Sequence, residues 1–295
     1  ARVWVLAIRP QTLPAAVAPV LVGLGAALGL GYAFRPDTAL GALAVALLLQ
    51  IVANLANDLS DFKKGADTPD RQGPLRVAAA GLITPRDLQR AIALVIVAAA
   101  IVGLYLVWVG GVVLLVVGAL AIVAALAYTG GPLPYGYKGL GEVFVFLFFG
   151  VVAVVGTGYL QSLTFEPLYL WAAIPMGCLI TAILVVNNLR DRVTDAAAGK
   201  RTLAVRLGRR GALAEYGLLL VLAYAVPLLV AGLGLAAGAH SWAWAALPVL
   251  TLPVALRLAR QVARSSGAAL NPLLVGTAKL LVLHGVLWTI GLGLG

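Results

Sequence analysis

Apolar residues run along this chain in long blocks separated by short basic loops. Stretches free of Asp, Glu, Lys and Arg cover residues 10–34, 38–57, 91–137, 143–165, 167–189, 216–256 and 265–278. Two of them are long enough for a pair of helices, with natural breaks at Gly110-Gly111 and between Gly238 and Ser241. A bilayer core needs about 20 apolar residues per helical crossing. The pattern therefore predicts an all-α membrane protein with nine transmembrane helices, over roughly 11–33, 38–60, 87–108, 112–129, 141–162, 168–189, 212–236, 242–261 and 272–293. No soluble domain or long linker remains, so residues 1–295 read as one transmembrane domain.

Composition narrows the class. Hydrophobic residues make up 62% of the chain and charged residues 11%, against about 25% charged in soluble domains. A soluble enzyme and a disordered chain are both excluded, and a cleavable leader cannot explain apolar character that continues to Gly295. The +10 net charge raises the question of a nucleic-acid partner, and the placement of the basic residues answers it. With alternating helix ends, 19 of 21 Lys and Arg fall on one side, Arg35 falls on the other and Lys279 lies inside the last helix. The positive-inside rule then puts the N-terminus in the cytoplasm and the C-terminus outside. Topology and the bilayer surface account for the charge, so no nucleic-acid partner is expected. The single cysteine, Cys178, forms no intramolecular disulfide, and His240 and His284 have no ligand spacing.

Topology does not explain the acids. Seven of 11 lie in two cytoplasmic loops: Asp58, Asp61, Asp67 and Asp70 within segment 54–76 with Asp87 soon after it, and Asp191 and Asp195 within segment 187–206. In the first, Asn54, Asn57, Asp58 and Asp61 fall at i, i+3, i+4 and i+7, on one helical face if helix 2 continues. In the second, Asn187, Asp191 and Asp195 repeat the arrangement at i, i+4 and i+8. Carboxylates and amide oxygens converging at helix ends suit a hard cation, and Mg²⁺ commonly combines one or two carboxylates with phosphate oxygens. The interleaved Lys and Arg offer charge-assisted bonds to phosphates, which favours a metal-bridged diphosphate over a bare metal store. A cation transporter is the competing class, but its carboxylates belong near the bilayer midplane, and these sit at one membrane side.

The chain resembles the UbiA-type intramembrane prenyltransferases. The resemblance is carried by Ala7 to Ala15 with Arg9-Pro10, Asn57-Asp58 through Arg76, Tyr128 to Pro132, Gly139 to Phe146 with Glu142, Val185 to Asp191, and Gly199 to Gly208, in that order along nearly the whole chain. Within the family it looks most like the branch acting on 1,4-dihydroxy-2-naphthoate. The resemblance implies Mg²⁺-dependent transfer of a polyprenyl group from polyprenyl diphosphate to 1,4-dihydroxy-2-naphthoate, with loss of CO₂ and diphosphate, giving demethylmenaquinone. Mn²⁺ is an expected substitute metal. Other aromatic acceptors on the same fold are the alternative.

Carried onto this sequence, the resemblance implies a metal set of Asn57, Asp58, Asp61, Asn187, Asp191 and Asp195, with Asp67 secondary because Gly65 stands where the wider family often has a third acid. It implies diphosphate contacts from Lys138, Arg71, Arg76, Lys200 and Arg201, with Asp61, Asp191 and Lys138 as the catalytic core. Arg9 is expected to hold the acceptor's carboxylate, and the Tyr128 ring to face the allylic cation. Glu142 is expected beside Lys138, and Lys279 is a costly intramembrane charge. The expected location is a prokaryotic-type inner membrane, with the site facing the cytoplasm.

Overall fold

Proline at the first helical turn, where no amide hydrogen is needed, opens several of the long helices. The computed structural model describes residues 2–65, 73 and 75–295. It contains α1 (Arg2–Ile8), α2 (Pro14–Gly29), α3 (Pro36–Lys63), α4 (Pro85–Gly110) and α5 (Val113–Ala127). There follow α6 (Gly141–Val145), a π-helical stretch Phe146–Val152, α7 (Ala153–Ser162), α8 (Pro167–Ala197) and α9 (Leu203–Ala236). A 3-10 stretch, His240–Thr251, runs into α10 (Leu252–Arg264), and α11 (Asn271–Gly293) ends the chain. No strand occurs among the described residues.

Each of the nine expected apolar segments contains helix. Among the described residues, seven helical stretches are long and apolar enough to cross a membrane, and an eighth is formed if α1 and α2, bent by 47°, are taken together. With 15 residues, α5 is about 22 Å long at 1.5 Å per residue, short of a core about 30 Å thick.

The differences from the sequence reading have local causes. Pro10 and Pro14 lack amide hydrogens, so the chain bends after α1 and Arg9 takes a left-handed φ of 55°. Helices α3 and α8 run past their expected ends at 60 and 189, because their polar residues are accommodated along a cavity rather than excluded from the helix. Helix α9 begins at Leu203, well before 212, and carries a break at Gly208 (φ 69°).

The core sits around α8, where Ala172, Ala173, Met176, Cys178 and Leu179 are fully buried. Its close approach to the π-helical stretch depends on Gly150 and Gly177, since a Cβ on Gly150 would lie 2.4 Å from the Gly177 Cα. A second cluster, with Val52, Leu55, Leu59, Val77, Leu88 and Ile92, joins α3 to α4 and to the turn at 77–80. Large apolar side chains such as Leu94, Ile101, Trp108 and Leu250 are exposed on the perimeter, as a lipid-facing surface requires. Lys279 is on that exposed surface and not on the cavity wall. His284 is fully buried, packed edge-on against the Tyr224 ring, and His240 is exposed.

Candidate active site

Both Asn/Asp segments open into one cavity of about 470 Å³. Its polar mouth is lined by Arg9, Asn57, Asp61, Arg76, Asn187, Arg190, Asp191, Asp195 and Lys200, and its deeper walls are apolar. At about 100° per helical residue, Asn54, Asn57 and Asp61 of α3 point within about 60° of one another. Asp58 is rotated further from Asn57. It turns from the cavity, where Oδ2 and Oδ1 accept the backbone N–H groups of Val77 and Ala78, both at 3.1 Å, with Arg9 Nη2 at 3.7 Å from Oδ2. The structure therefore groups Asp58 with the 77–80 turn, and separates it from the other expected metal ligands. Asn54 holds the entry of the chain, donating to Ile8 O and Thr12 Oγ1, both at 2.8 Å.

Asp61 is the hub of the mouth. Its Oδ2 accepts from Arg76 Nη2 at 2.8 Å, and its Oδ1 accepts from the Tyr137 hydroxyl at 2.7 Å and lies 3.3 Å from Lys200 Nζ. Lys200 also lies 4.0 Å from Asp195 Oδ1, so one ammonium stands between the carboxylates of the two segments. Its position follows from how α8 ends. Gly199 adopts φ 75°, a left-handed conformation that glycine takes without steric cost, and the Lys200 N–H closes back on Asp195 O at 2.8 Å. That helix-terminating turn brings the Lys200 side chain over the site. Asp191 is held by its neighbour, with Arg190 Nε at 2.8 Å from Oδ1 and Nη2 at 2.5 Å from Oδ2. Arg190 further donates to Asn187 Oδ1 at 2.8 Å and Asn271 Oδ1 at 3.0 Å.

Aromatic rings line the passage from the mouth inward. Tyr128 meets Tyr135 edge-on at 5.4 Å between centroids, Tyr135 stacks on Phe144 at 4.1 Å, and Phe144 continues to Phe148 at 6.2 Å. Burial raises the Tyr135 phenol above its ordinary pKa. That ring stays a neutral hydroxyl-bearing π-face across the working pH range. Glu142 is buried and accepts from Asn188 Nδ2 at 2.8 Å.

Several expected contacts lie elsewhere. Lys138 is exposed and off the cavity wall; its neighbour Tyr137 points in instead. Arg201 is also exposed, though its backbone N–H donates to Tyr137 O at 2.8 Å. Asp67 and Arg71 lie outside the described residues. Sequence reasoning missed Tyr137, Arg190 and Asn188; the signal for the last two was adjacency to Asn187 and Asp191. Tyr137→Phe is expected to lower turnover about 10-fold by removing one hydrogen bond to the Asp61 carboxylate, worth about 1.5 kcal/mol. Steady-state rates measured beside the parent check this.

Among the described residues, no three Asp, Glu, His or Cys side chains converge as a ready-made metal cage. The donors at the mouth are nonetheless oxygen atoms of carboxylates and amides, the chemistry of a hard cation whose remaining ligands are phosphate oxygens. Among the described residues, four cations, Arg9, Arg76, Arg190 and Lys200, share that mouth with three carboxylates, Asp61, Asp191 and Asp195. Those cations suit an anion beyond the acids themselves.

The profile of the UbiA prenyltransferase family matches residues 16–283. A 1,4-dihydroxy-2-naphthoate octaprenyltransferase of Escherichia coli (strain K12) is 41% identical over 297 residues, covering 98% of this chain and 94% of that protein. One from Mycobacterium tuberculosis is 48% identical over 238 residues, covering 78% and 81%. Among solved structures, a UbiA homologue from Aeropyrum pernix K1 superposes with a TM-score of 0.69 at 18% identity, covering 94% of this chain and 96% of that one. A UbiA homologue from Archaeoglobus fulgidus bound to DMAPP and Mg²⁺ gives 0.65 at 15% identity, covering 97% and 98%.

Proposed function

Since the chain belongs to the UbiA prenyltransferase family, we propose that this cavity is where it transfers a polyprenyl group from polyprenyl diphosphate to 1,4-dihydroxy-2-naphthoate, releasing CO₂ and diphosphate and building the demethylmenaquinone skeleton. The observation that carries the reading is the joining of both Asn/Asp segments at one cationic mouth above an apolar lumen. A diphosphate headgroup fits the mouth and a polyprenyl tail the lumen. The naphthoate acceptor is supported by the named relatives at 41% and 48% identity.

In this reading Asp61, Asp191 and Asp195, with Asn57 and Asn187, hold Mg²⁺ against the diphosphate, with Mn²⁺ as a substitute. The bound metal supplies charge neutralisation for the diphosphate as it leaves. Arg76 and Lys200 are already oriented by Asp61, so their N–H groups need little reorganisation to meet phosphate oxygens. Arg190 keeps the Asp191 carboxylate fixed. The faces of Tyr128 and Tyr135 stand where an allylic cation is stabilised by the ring quadrupole. Arg9, strained in its left-handed conformation and anchored by Asp58, presents its guanidinium to the acceptor's carboxylate. Lys138 and Arg201 serve as outer contacts that draw the anionic donor in; Arg71, as a further such contact, and Asp67, as a further metal contact, lie outside the described residues.

The whole-chain architecture fits nine membrane crossings, with α5 as a short crossing and α1 to α2 as a bent one. The basic loops support an orientation with the N-terminus and the active site on the cytoplasmic side of a prokaryotic-type inner membrane and the C-terminus outside. The testing experiment gives purified, detergent-solubilised protein 1,4-dihydroxy-2-naphthoate and a short allylic diphosphate. Prenylated naphthoquinol, read as the quinone after oxidation by air, and CO₂ are expected with Mg²⁺, and neither in EDTA until Mg²⁺ is restored. Product from a different aromatic acceptor alone would overturn the acceptor while leaving the donor site standing.

A further inference from the structure

Glycines in a helical membrane protein commonly mark close helix contacts, and several here do. A Cβ on Gly29 would fall 2.0 Å from Leu292 O, and one on Gly291 2.3 Å from Trp244 O. Gly103 on α4, Gly118 on α5 and Gly156 on α7 behave differently. Each lines the cavity, and a Cβ built on any of them meets no atom within 4 Å. Glycine weakens a helix relative to alanine, and here no helix contact explains it; what the three positions provide is lumen.

Their depth is informative. Gly118 precedes Tyr128 by about 15 Å along α5 at 1.5 Å per residue, and Gly156 lies 14 residues beyond Glu142, across α6, the π-helical stretch and α7. Both lie far from the carboxylates of the mouth. The same cavity is also lined by Val20, Ala42, Leu106 and Leu160, a cluster of buried apolar side chains packed on one another. The lumen is therefore walled partly by packed apolar side chains and partly by positions from which side chains are missing.

We propose that Gly103, Gly118 and Gly156 determine which prenyl chain lengths the enzyme accepts, by leaving the space that isoprene units distal to the diphosphate occupy. The proposal rests on the prenyl-donor reading of the cavity. A side chain at these positions fills the deep lumen and leaves the mouth untouched, so it discriminates by length and not by headgroup. Filling an apolar pocket by a few carbons changes selectivity about 10- to 200-fold.

The test compares Gly118→Leu and Gly156→Leu with the parent, using geranyl and octaprenyl diphosphate as donors. Alanine and valine at the same positions give a graded series. Gly217→Leu on α9 is the control, because its Cβ also meets nothing within 4 Å but the position is off the cavity. The ratio of kcat/KM for octaprenyl over geranyl donor is expected to fall about 10-fold or more for leucine, less for alanine, and to stay at the parent value for Gly217→Leu. Thermal unfolding in detergent verifies that the variants are folded. An unchanged ratio in both leucine variants, or the same fall in the control, overturns the proposal. A folded parent inactive with both donors overturns the donor reading and this proposal with it, whereas an active parent with unaltered ratios overturns the length assignment alone.

Discussion

Turnover is expected to fall at least about 10³-fold in Asp61→Asn and in Asp191→Asn, the upper range for loss of one preorganised electrostatic contact. Asp61 receives Arg76, Tyr137 and Lys200 together. Asparagine keeps the shape but removes the charge and turns one acceptor into a donor that faces those cations. Asp191 accepts two bonds from the Arg190 guanidinium, and its amide leaves that cation without a neutralising partner. Some destabilisation accompanies the second variant for that reason. The diagnostic comparison sets the rate per folded molecule beside the melting temperature in detergent. A catalytic role demands that the rate collapse far more than the stability does. Full activity in either variant would remove that carboxylate from the diphosphate site.

Much of this architecture was legible because membrane helices announce themselves by uninterrupted apolar length, and each expected segment contains helix. The two Asn-x-x-x-Asp elements were legible for a related reason: a four-residue spacing keeps both side chains on one helical face. What the spacing does not encode is the helix's rotation relative to its neighbours. Asp58, one residue from Asn57, was indistinguishable from a ligand until the 77–80 turn was seen bound to its carboxylate. Lys138 stood out as a lone charge in its loop, yet the 3-10 turn Tyr135–Lys138 directs Tyr137 inward and leaves the lysine exposed. The sequence pattern reports charge; the turn decides direction. Tyr137 carried no signal of its own, since aromatic residues near a membrane interface are common. The open glycines were likewise illegible, because a glycine that closes a helix contact and one that leaves a void read alike in the sequence.

Asp58→Ala is expected to act on stability, with a melting temperature well below that of the parent. The substitution strips acceptors from two backbone N–H groups, those of Val77 and Ala78, and removes one partner of Arg9. Each buried donor left unsatisfied costs about 1–3 kcal/mol, so a loss of about 2–4 kcal/mol follows even where the turn relaxes partly. Because the turn belongs to the cluster that joins α3 to α4, the effect spreads into packing between helices and not only into a loop. Asp58→Asn is expected to be milder, since its amide oxygen still accepts one of the two N–H groups. Thermal unfolding in detergent, paired with the rate per folded molecule, separates this role from catalysis. Asp58 is fixed by backbone donors and points away from the cavity, so the folded fraction of Asp58→Asn should retain turnover within a few-fold of the parent, unlike Asp61→Asn. A variant that melts like the parent but does not turn over would return Asp58 to the metal site and require the α3 helix to rotate when substrate binds.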